Sequence, residues 1–298
     1  SQQAENHQSP RKEIDGFLCL WVQTHCLPVV NQPLNYYSNI AIIKFERSDS
    51  MSVIVTVNVN EGIVMASDSR ISITTPELIN DGSDGNPKVI KESMMHFSDT
   101  TYKTFLMDGK IGISACGNAT INSAPIAGYI ESFIRENSGC PIEDIPQKIL
   151  DYFKKLAPGK NSTFFVAGYS MDNGKATQHV FRVNTAPSDG QEIEVSDTSV
   201  SGAAWDGVRD VASRLFTSLY IKKTTADGKA DYTKHSEYSL ALQQFTLQDA
   251  IEFAEYATRT TIDTMRFQQR MKTVGGPIDI LVLKPNSHQW IARKELHV

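Results

Sequence analysis

The stretch that decides the fold runs from Ser52 to Arg70 and reads Ser-Val-Ile-Val-Thr-Val-Asn-Val-Asn-Glu-Gly-Ile-Val-Met-Ala-Ser-Asp-Ser-Arg. β-Branched residues recur at every second position from 53 to 59, and this period of two predicts a strand. Glu61-Gly62 indicates a turn, and the apolar run after it predicts the returning strand. Residues 52–66 are therefore predicted to form an antiparallel hairpin.

Composition and charge narrow the class of protein. The chain has 298 residues, 40% of them hydrophobic, which fits a globular protein with a large core. The formal net charge of −5 has no long run of one sign, so no nucleic-acid partner is expected. No stretch approaches the roughly 20 apolar residues that a membrane helix needs, so no membrane partner is expected either.

Cysteine spacing and motif content bear on compartment and cofactors. The four cysteines form no CxxC pair and no zinc-like pattern, which favours a reduced, cytoplasmic protein. The chain has no HExxH, P-loop or GxGxxG motif, so neither a metal nor an organic cofactor is predicted.

Residues 1–51 differ in character from the rest of the chain. Glu13 and Asp15 stand where a secretory signal would carry positive charge, which argues against secretion. We interpret this stretch as a removable pro-segment, a stretch upstream of an initiator Met51, or an ordinary N-terminal strand layer. The domain proper is predicted to span residues 52–298.

Periodicity and capping signals predict the elements after the first hairpin. In chain order they are a loop-rich stretch (72–100), a hairpin (103–115), two helices with apolar faces (126–134 and 145–156), three strands (163–171, 177–183 and 192–200), a helix (about 206–221), a linker (222–236), a long helix capped by Thr246 with Asp249, and two strands (277–283 and 289–294). Hairpins imply antiparallel sheets, so the predicted fold class is α+β. The expected architecture is a four-layer α-β-β-α sandwich of two antiparallel sheets flanked by helices.

Ser52 is the candidate nucleophile. If it began the mature chain, one residue would carry both a hydroxyl and a free α-amine, a nucleophile and its base. An α-amine titrates at roughly 7.7–8.0, so it can accept the hydroxyl proton near neutral pH. Such a site also needs a cation, a carboxylate to hold it, and N–H donors for the oxyanion. Asp68, Lys103 and Gly117 lie at ends of predicted strands and could supply them.

Three blocks of this sequence resemble proteasome β-type subunits and their bacterial relatives, which are N-terminal-nucleophile hydrolases. Residues 52–70 are similar to the family's first strand pair, and the separation of nucleophile and aspartate matches without gaps. Residues 102–117 are similar to its lysine-to-glycine block, and residues 275–282 resemble its C-terminal Gly-rich turn and strand. The resemblance covers most of residues 52–284.

The resemblance implies a role for each matched residue. It implies Ser52 as nucleophile with its α-amine as base, Lys103 as the tuning cation, Asp68 as its partner, Gly117 as oxyanion donor and Ser201 as the serine that positions the amine. It also implies a fairly apolar substrate pocket lined by Thr101, Phe105, Ala115 and Ala119, although Phe105 and Ala115 equally fit a core. Two positions depart from the family: Met271 replaces a supporting aspartate, and serine replaces the usual threonine nucleophile.

The function predicted from these features is amide-bond hydrolysis by a proteasome-like peptidase acting on peptide or protein substrates. The resemblance implies a homo-oligomer, as a ring or stack, and is compatible with an ATP-dependent unfoldase partner. Two alternatives stay open. One is a small-amide hydrolase on the same fold, and the other is a non-catalytic scaffold subunit, favoured if residues 1–50 stay attached.

Overall fold

The computed structural model describes residues 52–79, 88–218, 220–224, 229–234 and 239–295. The strands are β1 Val53–Val59, β2 Gly62–Ser67, β3 Ile71–Ile79, β4 Lys88–Ser98, β5 Thr104–Met107, β6 Ile111–Gly117, β7 Thr120–Ile121, β8 Ala124–Pro125, β9 Ser162–Asp172, β10 Lys175–Asn184, β11 Ile193–Val195, β12 Gly202–Gly207, β13 Tyr220–Thr224, β14 Ala230–Lys234, β15 Asp279–Lys284 and β16 Ser287–Ala292. The α-helices are α1 Ile126–Glu136, α2 Ile145–Leu156, α3 Asp210–Phe216 and α4 Leu247–Phe267.

Ten of the sixteen described strands belong to two five-stranded sheets. The first sheet has the order β12-β1-β2-β15-β16, and the second has the order β11-β10-β9-β6-β5. All their strand pairs are antiparallel. The predicted α+β class with antiparallel sheets is therefore confirmed. The hairpin β13–β14 belongs to a separate compact unit, which includes residues 218–238.

The first strand is buried on both of its faces. Its valines at 53, 55, 57 and 59 pack in one apolar cluster with α4, whose contribution includes Phe253 and Ala254. Ile54 points the other way, into a second cluster shared with Phe165 of β9. A third cluster joins the opposite face of the second sheet to α1 and α2. Burial on both faces explains why β1 is a nearly continuous run of β-branched residues.

The interpretation of residues 72–100 as loop-rich is wrong. Within that range β3 and β4 pair as a long antiparallel hairpin. A two-stranded ribbon does not have to bury either face in a core, so its polar residues are compatible with strand geometry. The alternation of apolar and polar residues at Ile71-Ser72-Ile73 is the sequence feature that indicates the start of β3.

Two further predictions in the second half of the chain are also wrong. The helix expected at about 206–221 is only the short α3, because residues 202–207 form β12. The linker expected at 222–236 contains paired strands instead. Small residues dominate β12, so its alternation was too weak to predict a strand.

Some predictions concern parts of the chain beyond the described residues. The N-terminal stretch 1–51 lies outside them, and the boundary between residues 51 and 52 stays a prediction. Among the helices that are described, none combines the length and the apolar character required to cross a membrane.

Candidate active site

Ser52 lies immediately before β1 and is fixed by β12. The residue is 4% exposed, and its carbonyl oxygen accepts a hydrogen bond from the Val208 N–H at 2.7 Å. Opposite the start of β1 stands Gly207, with φ of +89°. A Cβ added to Gly207 would lie 2.1 Å from the Ser52 carbonyl oxygen. Only glycine fits here, because any side chain would push β12 away from Ser52.

The backbone of Ser52 is itself unusual. Its φ is +150°, a value that residues other than glycine rarely adopt. Such torsions cost of order 1–3 kcal/mol and concentrate at functional sites. Because φ is defined only when the residue has a peptide bond before it, this strain would vanish if Ser52 were the first residue.

Asp68 and Lys103 form a buried ion pair beside Ser52. Lys103 Nζ donates to Asp68 Oδ1 at 2.7 Å, and the two side chains are 7% and 0% exposed. The other hydrogen bonds that the carboxylate accepts come from backbone N–H groups. Oδ1 also accepts from the Val53 N–H at 3.0 Å, while Oδ2 accepts from Arg70 at 3.1 Å and Gly275 at 3.0 Å. Asp68 is thereby locked to the residue that follows Ser52.

Burial shapes the charge of Lys103. Loss of solvation lowers the pKa of the Lys103 ammonium below its ordinary value, and the Asp68 carboxylate opposes this shift. Lys103 is also held through its main chain, because its carbonyl accepts from the Ala115 N–H at 2.8 Å. The result is a fixed cation that two strands position.

One pocket gathers most of the predicted site residues. It is lined by Ser52, Ile71, Thr101, Lys103, Ala115, Cys116, Gly117, Asn118, Ala119 and Ile126. Gly117 adopts φ of +101°, and a Cβ there would lie 2.7 Å from the Asn161 carbonyl oxygen. This position therefore requires glycine and leaves its backbone accessible to the pocket.

The structure separates two predicted residues from this pocket. Phe105 is 6% exposed and packs in the apolar cluster beneath α1 and α2. Ser201 precedes β12 at the end remote from Ser52, since Gly202 pairs with Asn58 while Gly207 pairs with Val53. Strands rise about 3.3 Å per residue, which places Ser201 more than about 17 Å from Ser52. It therefore cannot position the Ser52 amine, and the register of β12 is the physical reason.

Cys116 also lines the pocket and carries a thiol. Burial raises the pKa of its thiol well above the usual value, with a further contribution from Asp206. A thiol that stays protonated at neutral pH is a poor nucleophile, because the thiolate is the reactive form. Cys116 is therefore a poor candidate for the nucleophile of this pocket.

Sequence reasoning missed Asp206, which lies next to Gly207 on β12. Its carboxylate is 9% exposed and accepts from Arg182 Nε of β10 at 2.6 Å, so it ties the two sheets together. Its other oxygen accepts from the Gly207 N–H at 2.6 Å. Asp206 therefore fixes the backbone that abuts Ser52. Asp206 was not singled out in the sequence because Asp206-Gly207 fell at the start of the predicted helix.

A buried chain of hydroxyls was also missed. Thr104 Oγ1 donates to Ser67 Oγ at 2.8 Å and lies 3.0 Å from Ser114 Oγ, and all three residues are fully buried. Ser67 precedes Asp68 and Thr104 follows Lys103, so this chain holds the strands that carry the ion pair. In the described part of the chain, no cluster of His, Cys, Asp and Glu is arranged to hold a metal ion.

Comparisons with known proteins give similarities in structure but none in sequence family. No family model and no curated protein matches the chain. Among solved structures, it is similar to an Anbu mutant from Hyphomicrobium sp. strain MC1. That similarity has 14% sequence identity and a TM-score of 0.49, and it covers 82% of this chain and 86% of the other. At these values it assigns no role to any residue.

Proposed function

We propose that this protein is an amide-bond hydrolase, most specifically a proteasome-like peptidase, with Ser52 as an N-terminal nucleophile on a four-layer α-β-β-α fold. The observation that carries the proposal is the convergence of Ser52, Lys103 and Gly117 on one pocket, with Lys103 Nζ 2.7 Å from a fully buried Asp68. These are the parts that an N-terminal-nucleophile site requires, and three separate strand ends supply them.

In the proposed first step, the Ser52 hydroxyl attacks the carbonyl carbon of the scissile amide. A C–O bond forms, and the hydroxyl proton passes to the neutral α-amine of the same residue. The Gly117 N–H donates to the oxyanion of the tetrahedral intermediate. As the C–N bond breaks, the proton leaves with the amine product, and an ester to Ser52 remains. Water then hydrolyses the ester with the α-amine again as base.

Lys103 has an electrostatic role in this proposal. Its positive charge lowers the pKa of the neighbouring α-amine, which keeps the base neutral and ready at pH 7. The contact with Asp68 keeps the ammonium in place, and burial makes its field stronger than it would be in water. Replacement of Lys103 by Met keeps the length of the side chain but removes this field.

The lining of the pocket supports a substrate class. Ile71, Ala115, Ala119 and Ile126 present apolar surface, while Thr101 and Asn118 join Ser52 as uncharged polar residues. We therefore propose peptides with a small apolar residue before the cut. In a series of fluorogenic peptide amides, Ala or Val at that position should be cleaved faster than Asp, Lys or Phe.

A free N-terminus at Ser52 is the first requirement to test. The protein should be produced from a start codon at Met51, and its intact mass should be measured. Loss of exactly one methionine supports the proposal, while a retained Met51 leaves Ser52 with an amide nitrogen and no base. A version with residues 1–51 attached should be inactive until it is cut before Ser52.

Turnover of a peptide amide then tests the named residues. Ser52→Ala and Lys103→Met should each lower kcat by at least about a hundredfold, the lower range for loss of a general base or an electrostatic group. The matched controls Ser287→Ala and Lys284→Met change exposed residues and should retain full activity. Unchanged turnover in both site variants would refute the assignment.

The wild-type protein and the variants just named also test the alternative that this protein is a non-catalytic scaffold subunit. A scaffold subunit would fold and assemble, yet it would show no turnover and no covalent adduct with an electrophile that reacts with hydroxyl groups. Assembly into a ring or stack, and any ATP-dependent unfoldase partner, remain proposals that size measurement and partner titration can test. A small-amide hydrolase would cleave short acyl amides and leave longer peptides intact.

A further inference from the structure

A second buried ion pair lies close to the first. Asp279 begins β15 and is fully buried, and Lys294 follows β16 with its side chain 7% exposed. Lys294 reaches this carboxylate twice, since its backbone N–H donates to Oδ1 at 2.9 Å and its ammonium donates to Oδ2. Lys294 is thereby anchored to β15 of the first sheet.

Stability alone is a weak reason for such a pair. Removing two charges from water is unfavourable, and apolar replacements of buried pairs are often neutral or stabilising. What the pair contacts is therefore informative. Its contacts include Tyr102, the residue before Lys103, and Ser67, the residue before Asp68.

Tyr102 forms the first connection between the two pairs. Its hydroxyl donates to the Lys294 carbonyl oxygen at 3.0 Å, and its ring lies 4.7 Å from the Lys294 ammonium. A cation over an aromatic face at this distance is attracted to the ring. Thr101 and Lys103, the neighbours of Tyr102 in the chain, both line the candidate pocket.

Ser67 forms the second connection. It pairs with Asp279 across β2 and β15, and it immediately precedes Asp68. Its hydroxyl accepts from Thr104, the residue after Lys103. Both members of the second ion pair are thus bonded or paired to a direct neighbour of a member of the first.

We propose that Asp279 and Lys294 are positioning residues for Lys103: they hold the segment around it in place and keep a second positive charge near its ammonium. This inference deepens the proposed function and takes its catalytic meaning from it. It gives Asp279 and Lys294 a role in positioning Lys103, which the sequence motifs did not indicate.

The charges around both lysines agree with this arrangement. Burial is the main cause that lowers the pKa of Lys103, Asp68 opposes it, and Lys294 adds a smaller lowering. Burial lowers the pKa of Lys294, with a smaller contribution from Arg293, and Asp279 and Asp68 oppose that shift. Removing Lys294 should therefore raise the pKa of Lys103, and it should raise the pKa of a neighbouring α-amine for the same reason.

The test is a direct titration of Lys103 by NMR in the full protein labelled at its lysine side chains, with the signal assigned through Lys103→Met. In Lys294→Met the titration midpoint of Lys103 should move to higher pH. The double variant Asp279→Asn with Lys294→Met, which leaves no unpaired buried carboxylate, should show the same direction. Lys294→Arg keeps the charge and should restore the wild-type midpoint, and exposed Lys284→Met should not change it.

An unchanged Lys103 midpoint in the double variant would overturn the proposal, and this variant decides the matter if Lys294→Met does not fold. Peptide-amide cleavage gives a second readout. The acidic limb of kcat/KM should move to higher pH in Lys294→Met, whereas a purely structural role would lower activity without moving that limb. If the wild-type protein shows no cleavage that depends on Ser52, the proposed function fails, but the Lys103 titration still decides this inference.

Discussion

Gly207 makes the tightest backbone approach to Ser52, and this gives a prediction at the scale of one residue. Alanine at 207 would place its Cβ 2.1 Å from the Ser52 carbonyl oxygen, so β12 must shift. The matched control is Gly190→Ala, because Gly190 has a similar φ of +80° with no atom within 4 Å of the added Cβ. The control should cost about 1–2 kcal/mol, from the left-handed torsion alone.

Urea unfolding of both variants checks this expectation. Gly207→Ala should lose clearly more unfolding free energy than Gly190→Ala, and it should also lose peptide cleavage. Equal losses in the two variants would mean that the close approach to Ser52 is relieved at no cost, contrary to the prediction.

Tyr169 gives a pH-dependent prediction. Burial raises the pKa of its hydroxyl to about 12 from an ordinary value of 10.0, and the residue is 9% exposed. The pKa of Tyr169 is higher in the folded state than in the unfolded state. The contribution of its neutral hydroxyl to stability is therefore complete below pH 10 and is lost as pH rises through about 12. The free energy of unfolding should therefore fall across this window, and less steeply in Tyr169→Phe. Tyr232→Phe, at a residue 61% exposed, is the control and should keep the wild-type slope.

At the scale of an element, α4 supports the strand that begins after Ser52. Thr246 and Asp249 form a reciprocal capping box at its N-terminus, as the sequence predicted. Thr246→Ala should cost about 1 kcal/mol of unfolding free energy, because the first turn loses a hydrogen-bond acceptor. Thermal unfolding against Thr260→Ala, which lies within the same helix and should not destabilise it, is the check. Equal stability of the two variants would count against a role for the box.

The same scale shows what the sequence could predict. Ser52, Asp68, Lys103 and Gly117 were predicted because they lie at the ends of predicted strands and within the blocks that carry the family resemblance. Ser201 was assigned from the family resemblance alone, and no strand was predicted at residues 202–207, which are rich in small residues. The register between β1 and β12 depends on contacts distant in the chain, and no local pattern encodes it. The link from Lys103 to Lys294 was missed for the same reason.

At the scale of the unit formed by the two larger sheets, Arg182 and Asp206 supply a polar bridge across an apolar interior. Arg182→Met would leave the Asp206 carboxylate without its main partner, although Arg209 Nε lies 4.0 Å away. We expect a loss of about 3 kcal/mol of unfolding free energy. The double variant with Asp206→Asn should recover most of it, because the Glu194 carboxylate that also loses Arg182 is 38% exposed and no unpaired buried charge remains.

A double-mutant cycle in urea measures this coupling. A coupling energy near zero would show that the bridge contributes nothing to joining the sheets. A large coupling together with weakened cleavage in both single variants would connect the packing of the sheets to the placement of Ser52.

The hairpin β3–β4 leaves the first sheet directly after Arg70 and returns at Thr101, and its two ends are joined by the bidentate contact of Arg70 with Asp99. The distance between Asp68 and Lys103 is therefore set at the base of the hairpin and not along its length. A change in the length of the chain between Arg70 and Asp99 would therefore leave the contact of Asp68 with Lys103 in place. The hairpin is thus a place where the fold can accept an insertion without disturbing the candidate site.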